Sequence, residues 1–285
     1  MNHSTIMRRL SSHPRTAILF LRRFAVRHPS ACLRCGVVDE LEIHSTDRQG
    51  IRTYRCTACH RTFSELSGTV FFRSKVPLWK WLSTLMELTV ATGSISAAEL
   101  GRRYHLRHAT AWRLLTAVRT ALLPHADPGL LTGVVEADEA WFGRGANQEI
   151  VCGIVQRTPR RVALAVIANV REATLVPLVK ARVEEGSIFC TDMRVSYVAL
   201  GIRYDHRTTN HSTGEYGDGA GTHSNTIEQF WGDVKGIIRT IHHGVTKKYR
   251  LTYLALHAFK VTFQQTTNYF FQILSCLFTP TYCVR

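Results

Sequence analysis

Hydrophobic and polar positions alternate along this chain in two distinct rhythms, and the change between them divides it. Leu78, Trp81, Leu82, Leu85 and Leu88 recur at helical spacing, which predicts an amphipathic helix over 77–89. A short helix follows to about Tyr104, opened by the capping-box pattern Ser96-Ala-Ala-Glu99. A turn near His105-Leu106 leads into a longer helix from about His108 to Leu122, with Trp112, Leu115 and Val118 toward the core. Pro124, Pro128 and Gly129 then mark a linker over 124–132. Beyond it the rhythm shortens: 134–141, 149–157 and 162–170 read as strands joined by the tight turns 143–145 and 158–160. Residues 173–185 are helical in period, 187–191 read as a fourth strand, and a fifth short strand is expected at 202–204. Residues 205–221, rich in Gly, Thr, Ser and His, read as a loop, and 223–231 as the start of a further helix.

Three hairpin-linked strands, a crossover helix and another strand predict an α/β domain. The match is to the opening of a ribonuclease-H-like core, a mixed five-stranded sheet with helices. The expected organisation is a basic N-terminal helix (1–30), a zinc ribbon (31–66), a helix-turn-helix module (67–123), the core (133–262) and a C-terminal helix and tail (263–285).

The ribbon rests on four cysteines, Cys32-Leu-Arg-Cys35 and Cys56-Thr-Ala-Cys59, with twenty residues between the pairs. Each Cys-x-x-Cys aims two thiolates at one point, and two such knuckles complete a closed tetrahedral shell for a structural Zn²⁺. Residues 41–43 and 51–54 read as its hairpin strands. Cys152 and Cys190 lie in apolar strands and read as core, while Cys276 and Cys283 have no evident ligand partners.

Charge changes the picture next. In 285 residues, Lys and Arg number 36 against 21 Asp and Glu, a formal net charge of +15. That balance favours a polyanionic partner, nucleic acid first. No acidic residue precedes Asp39, and the arginine-rich start reads as an amphipathic basic helix with Ala17, Phe20, Leu21 and Phe24 on one face. No apolar run reaches the roughly 18 residues of a membrane span, so no membrane partner is expected. No secretory signal is visible either, so a cytoplasmic, nucleoid-associated protein with reduced thiols is expected. In a helix-turn-helix, Arg107, His108, Thr110 and Arg113 would face a DNA groove.

Candidate chemistry comes from three carboxylates on separate elements. Asp138 lies in the strand-like run Val134-Val135-Glu136-Ala137-Asp138. Asp192 stands just past the fourth strand, and Glu228, with thirty-five residues between the two, lies in a helix with Lys235 one heptad later. Such a trio can hold divalent ions for phosphodiester chemistry. Glu136 shares the strand face of Asp138 and competes with it as a ligand, whereas Glu139 should point to the other side. His206, His211 and His223 lie in or beside the loop.

These pieces together resemble the ISXO-type bacterial insertion-sequence transposases. The resemblance rests on the zinc ribbon, the run Ser67-Gly-Thr-Val-Phe-Phe-Arg-Ser-Lys75 with Trp81, Val135-Glu-Ala-Asp-Glu139, and Thr191-Asp192. It extends through His223-Ser-Asn-Thr-Ile-Glu-Gln-Phe-Trp231, Lys235, His242-His-Gly-Val245 and Lys247-Lys248, covering about 24–262. It implies a DDE-type core with Asp138, Asp192 and Glu228 as ligands of Mg²⁺ (or Mn²⁺), with Asn225 as the alternative third ligand. An ionised carboxylate binds such an ion better than an amide, which favours Glu228. Two ions about 3.5–4 Å apart would then serve cleavage at the element's ends and joining of the freed 3′-hydroxyl to target DNA. Lys235 would contact a phosphate, the N-terminal modules would recognise terminal inverted repeats in double-stranded DNA, and a homodimer or larger assembly would hold two ends. The family's acidic residue and Arg-Tyr-Asn-like segment are replaced here within 255–265. Two other readings stand beside the transposase: an inactive, transposase-derived DNA-binding regulator, and a structure-selective nuclease on the same core.

Overall fold

The computed structural model describes residues 15–24, 29–91, 93–192, 195–209, 223–266 and 268–278, with Thr5, Ser11 and His13. His211, Cys283, most of the loop over 205–221 and part of the expected N-terminal helix lie outside the described residues. The chain forms two compact units, Met1–Ala121 with Asn268–Arg285, and Leu122–Thr267.

In the first unit, helix α1 (Thr16–Phe24) buries Ala17, Ile18 and Leu21, and Phe24 lies against Phe271 with ring centroids 4.8 Å apart. Arg22 ties α1 to the ribbon through a bidentate pair with Glu65, at 3.0 and 2.7 Å. Strands β1 (Leu41–Thr46), β2 (Arg52–Cys56) and β3 (Thr62–Ser64) form an antiparallel sheet in that order. The hairpin was legible in the sequence; β3 was not, because a three-residue strand is too short to show alternation.

Helices α2 (Leu78–Val90), α3 (Ala97–Tyr104) and α4 (His108–Leu122) follow. In the run that precedes α2, the Ser74 hydroxyl accepts the Trp81 indole N–H at 2.9 Å. Ser96 caps α3 by accepting the Glu99 N–H at 3.1 Å. The reciprocal half of the expected capping box does not form. The Glu99 carboxylate instead pairs with Arg102 and Arg103 one turn on, where a full positive charge outcompetes a backbone amide. Buried Glu87 of α2 accepts from Arg103 Nη1 and the Tyr104 hydroxyl, both at 2.6 Å, and so locks α3 to α2. The α3–α4 turn is tight because Gly101 leaves room for the Leu106 carbonyl, which a Cβ would meet at 2.9 Å.

That turn holds His105 in the left-handed region (φ 50°, ψ 54°). An L side chain there is strained by roughly 1 kcal/mol relative to glycine. His105→Gly is therefore expected to raise stability by about 0.5–1 kcal/mol, measured as the midpoint of denaturant unfolding.

The second unit is an α/β domain around a mixed five-stranded sheet. Strands β4 (Val134–Phe142), β5 (Glu149–Gln156) and β6 (Arg161–Ile167) form an antiparallel meander. Helix α5 (Glu172–Arg182) crosses over to β7 (Ile188–Asp192), and β8 (Asp205–Thr209) completes the order β6-β5-β4-β7-β8. Strands β7 and β8 add in parallel to β4.

The expected fifth strand at 202–204 requires correction. Residues Val195–Ile202 form a 3-10 helix, and the strand begins at Asp205, inside the stretch read as loop. The strand Asp-His-Arg-Thr-Thr is polar because it is an edge, so it lacks the apolar signature of its buried neighbours. Strand β5, by contrast, is nearly continuous in apolar residues and buried along most of its length, as a strand covered on both faces should be.

One face of the sheet carries Val135, Ala137, Cys152, Ile154 and Phe189, packed by Leu175 and Val179 of α5 and by Tyr197 and Leu200. The other carries Ala140, Phe142, Val151, Val155 and Val162. It is covered by helices α6 (Asn225–Thr240) and α7 (Lys247–Phe263) through Ile227, Phe230, Trp231, Val234 and Leu254. Helix α8 (Tyr269–Phe278) packs within the first unit, where Phe278 lies 5.1 Å from Phe71.

Candidate functional site

The hydrogen-bond register brings together the two strands that carry Asp138 and Asp192. Strands β4 and β7 pair in parallel at Val134↔Ile188, Val135↔Phe189 and Glu136↔Cys190, and there the ladder ends. Carried on by one alternation, that register sets Asp138 beside Asp192. Both lie on the face of Glu136 and Cys190, because side chains repeat every second residue. Both aspartates are half-buried. They stand just beyond the last paired residues, at the carboxyl end of β7, where a sheet of this kind opens a crevice.

The same face receives α6. Asp138 is directly across from Gly153 of β5, and a Cβ there would meet Trp231 Cζ2 at 2.6 Å and Ile227 Cδ1 at 2.9 Å. The helix therefore lies on the sheet backbone next to Asp138. Gly153→Ala is expected to push α6 away and cost about 1–3 kcal/mol, read as a fall in thermal midpoint of this domain.

Helix α6 carries Asn225 and Glu228 in its first turn, both exposed. Glu228 Oε1 accepts the Ser224 hydroxyl at 2.6 Å. Lys235 is exposed two turns on, its ammonium 5.9 Å from the centre of the Phe142 ring. The three carboxylates are not gathered into a ready cage. Among the described residues, only the four cysteines bring three or more ligand atoms within reach of one ion. Asp138 and Asp192 lie on neighbouring strands and Glu228 on the helix that covers them, and the three do not form a ligand cluster among the described residues. Hard, half-buried carboxylate oxygens are the donor type that Mg²⁺ or Mn²⁺ takes.

Glu136 is no competitor as a ligand. It is fully buried, its Oε1 accepts from Arg157 Nε at 2.6 Å, and its Oε2 accepts the Ile227 N–H at 2.9 Å. Glu139 points to the opposite face, as the alternation required, and there accepts the Tyr197 hydroxyl. Behind Asp192, the Thr191 hydroxyl donates to the Asp192 carbonyl at 2.8 Å and lies 2.9 Å from His206 Nε2. Burial holds the His206 pKa below its ordinary value, so a neutral ring supports that strand end. Arg157 was missed in the sequence; it ends an apolar strand and nothing in the local pattern marks it.

The cysteine cluster fits its expected ligand closely. All four sulfurs lie within 4.8 Å of one another, with Cys32 Sγ–Cys59 Sγ and Cys35 Sγ–Cys56 Sγ both 3.7 Å. Tetrahedral zinc with Zn–S bonds of about 2.3 Å requires sulfurs about 3.8 Å apart. The Arg34 N–H points to Cys32 Sγ at 3.3 Å and the Cys59 N–H to Cys56 Sγ at 3.5 Å, the knuckle bonds that stabilise thiolates. Backbone N–H groups of Cys35 and Arg34 pull the Cys32 thiol down to about 6.

In the α3–α4 pair, Arg107, His108 and Arg113 are exposed and Thr110 is half-buried, while Leu115 and Val118 are buried and Trp112 is half-buried. No helix among the described residues is long and apolar enough to cross a membrane.

A meander of three strands, a crossover helix and two parallel strands, with an aspartate on each of two neighbouring strands, is an architecture consistent with a transposase/integrase core. Residues 130–262 match the family model of the ISXO2-like transposase domain. No curated protein matches the chain. Among solved structures it is similar to a chain from a "CryoEM structure of simian T-cell lymphotropic virus intasome in complex with PP2A regulatory subunit B56 gamma". That match has 15% identity and a TM-score of 0.32, and it covers 56% of this chain and 63% of the other, under two thirds of its length.

Proposed function

We propose that this chain is a DNA transposase that binds the ends of an insertion sequence, cleaves them and joins the 3′ ends to target DNA. The β4–β7 register supports this reading, because its continuation beyond Glu136↔Cys190 would bring Asp138 beside Asp192 at the open end of a ribonuclease-H-like sheet. The transposase family match over 130–262 supports it. Asp138 and Asp192 would hold Mg²⁺ or Mn²⁺, joined from α6 by Glu228, with Asn225 as the alternative ligand. When bound, such ions activate an attacking oxygen and stabilise a departing one.

The chain's own residues supply the rest. Lys235, on the exposed side of α6, would pair with a phosphate near the scissile bond and fix the strand's position. No covalent protein–DNA intermediate is required, so no nucleophilic side chain is assigned. The zinc ribbon and the helix-turn-helix, through Arg107, His108, Thr110 and Arg113, would read the terminal repeats. Two ends must be held at once, so a homodimer or larger assembly on DNA is expected.

The test uses the purified full chain, Mg²⁺ and duplexes taken from the DNA flanking its gene. Cleavage at repeat ends that leaves a 3′-hydroxyl, followed by joined products, is the expected result. Binding without cleavage would point to the regulator reading. Cleavage of branched DNA without end preference would point to the nuclease.

A further inference from the structure

Buried Glu136 sits one alternation before Asp138 on β4, and Cys190 sits one before Asp192 on β7, facing it in register. Arg157, immediately after β5, reaches into this row with Nε on Glu136 Oε1 at 2.6 Å and Nη2 near Cys190 Sγ at 3.8 Å. The row lies directly behind the two aspartates, and it is already fully engaged with the start of α6.

Two bonds make that engagement. Glu136 Oε2 accepts the N–H of Ile227, the third residue of α6, at 2.9 Å. Ser224, at the N-cap, makes no side-chain cap bond, and its hydroxyl goes to Glu228 instead. A carboxylate from the sheet thus does the capping that the helix's own N-cap leaves undone, where a negative charge also meets the positive end of the helix dipole. Arg157 Nη2 donates to the His223 carbonyl at 2.8 Å and lies 3.1 Å from His223 Nδ1, which is itself 3.3 Å from Glu136 Oε1. The residue before the N-cap and the third helical residue are therefore both tied to one ion pair, between buried Glu136 and half-buried Arg157. Asn225 and Glu228 stand on the turn so tied.

We infer that Glu136 and Arg157 are positioning residues: they clamp the first turn of α6 to the sheet and so set Asn225 and Glu228 relative to Asp138 and Asp192. The inference rests on the metal-site reading of those acids. An ion pair on a buried carboxylate adds little stability over apolar packing, but it fixes geometry once formed. Glu136, unlike Asp138, touches no reacting atom; its effect passes through α6.

Glu136→Asp is the discriminating variant. It keeps the charge beside Arg157, so the half-buried guanidinium retains its counterion, but it draws the carboxylate back from Ile227 N–H by one methylene. Amide hydrogen exchange across 223–229 in the full chain is expected to speed up about tenfold or more, with the rest of α6 unchanged. Tb³⁺ luminescence, read as the titration midpoint, is expected to show several-fold weaker binding in Glu136→Asp. Glu136→Gln, which can still accept from Ile227 but strands Arg157, should slow exchange at 227 relative to Glu136→Asp.

Wild-type exchange at 223–229 in Glu136→Asp, or an unchanged Tb³⁺ midpoint alongside faster exchange, would overturn the clamp. An Asp192→Ala control separates this from the parent reading. If the wild-type chain and Asp192→Ala give the same Tb³⁺ titration, the metal site itself is wrong, and the positioning role goes with it.

Discussion

Asp192→Ala is expected to lower Mg²⁺-dependent end cleavage by roughly a thousandfold or more, because removing one member of a catalytic unit disables the whole. End binding should change little. Asp192 is half-buried at the end of β7 and belongs to none of the three N-terminal strands or the α3–α4 pair expected to hold DNA. The measurement is paired: a gel assay of cleavage, and a binding isotherm in Ca²⁺ at fixed salt, since affinities for DNA depend steeply on ionic strength. Retained cleavage, or binding and cleavage lost together, would remove Asp192 from the chemistry. Asp192→Cys sharpens the result. A thiolate is a poor ligand for Mg²⁺ and a better one for softer ions, so partial recovery in Mn²⁺ alone would report direct coordination. Glu228→Gln and Asn225→Ala, in the same assay, assign the third position: the larger loss marks the residue that completes the site.

The second large effect concerns the ribbon. Stripping metal with a strong chelator, or Cys56→Ser, is expected to unfold 31–66 and abolish end recognition. Zinc binding in such small modules is worth on the order of 10 kcal/mol of apparent free energy, and that energy is folding energy. The ribbon has few other resources. Cys56 and Tyr54 are buried, but β1 is almost wholly exposed, so little apolar burial remains without the metal. One zinc per chain by elemental analysis, lost in Cys56→Ser and retained in Asp192→Ala, is the expected pattern. The unit formed by Leu122–Thr267 contributes none of the four ligands, and its own unfolding transition should persist.

Much of this architecture was legible because the local signals are strong. Helices α2 and α4 follow their apolar stripes, and β4 to β7 follow apolar runs bounded by turns. The four cysteines announce themselves by spacing alone. The polar edge strand β8 escaped because burial, not backbone preference, gives strands their signature. The carboxylates were nameable from their places in motifs, yet a sequence carries no register. Whether Asp138 lies beside Asp192 depends on how β4 pairs with β7, and a slip of one residue would put them on opposite faces.

The chain's own order of residues thus determined most of the elements, the four candidate sulfur ligands and the acids worth considering, since each is a matter of period, spacing and side-chain type. Tertiary structure alone decided which acids are neighbours, and that Glu136 is committed to Arg157 and Ile227 while Glu139 faces the other side of the sheet. The reason is physical. Pairing register and helix docking are set by contacts between segments dozens of residues apart, and no local pattern encodes the partner.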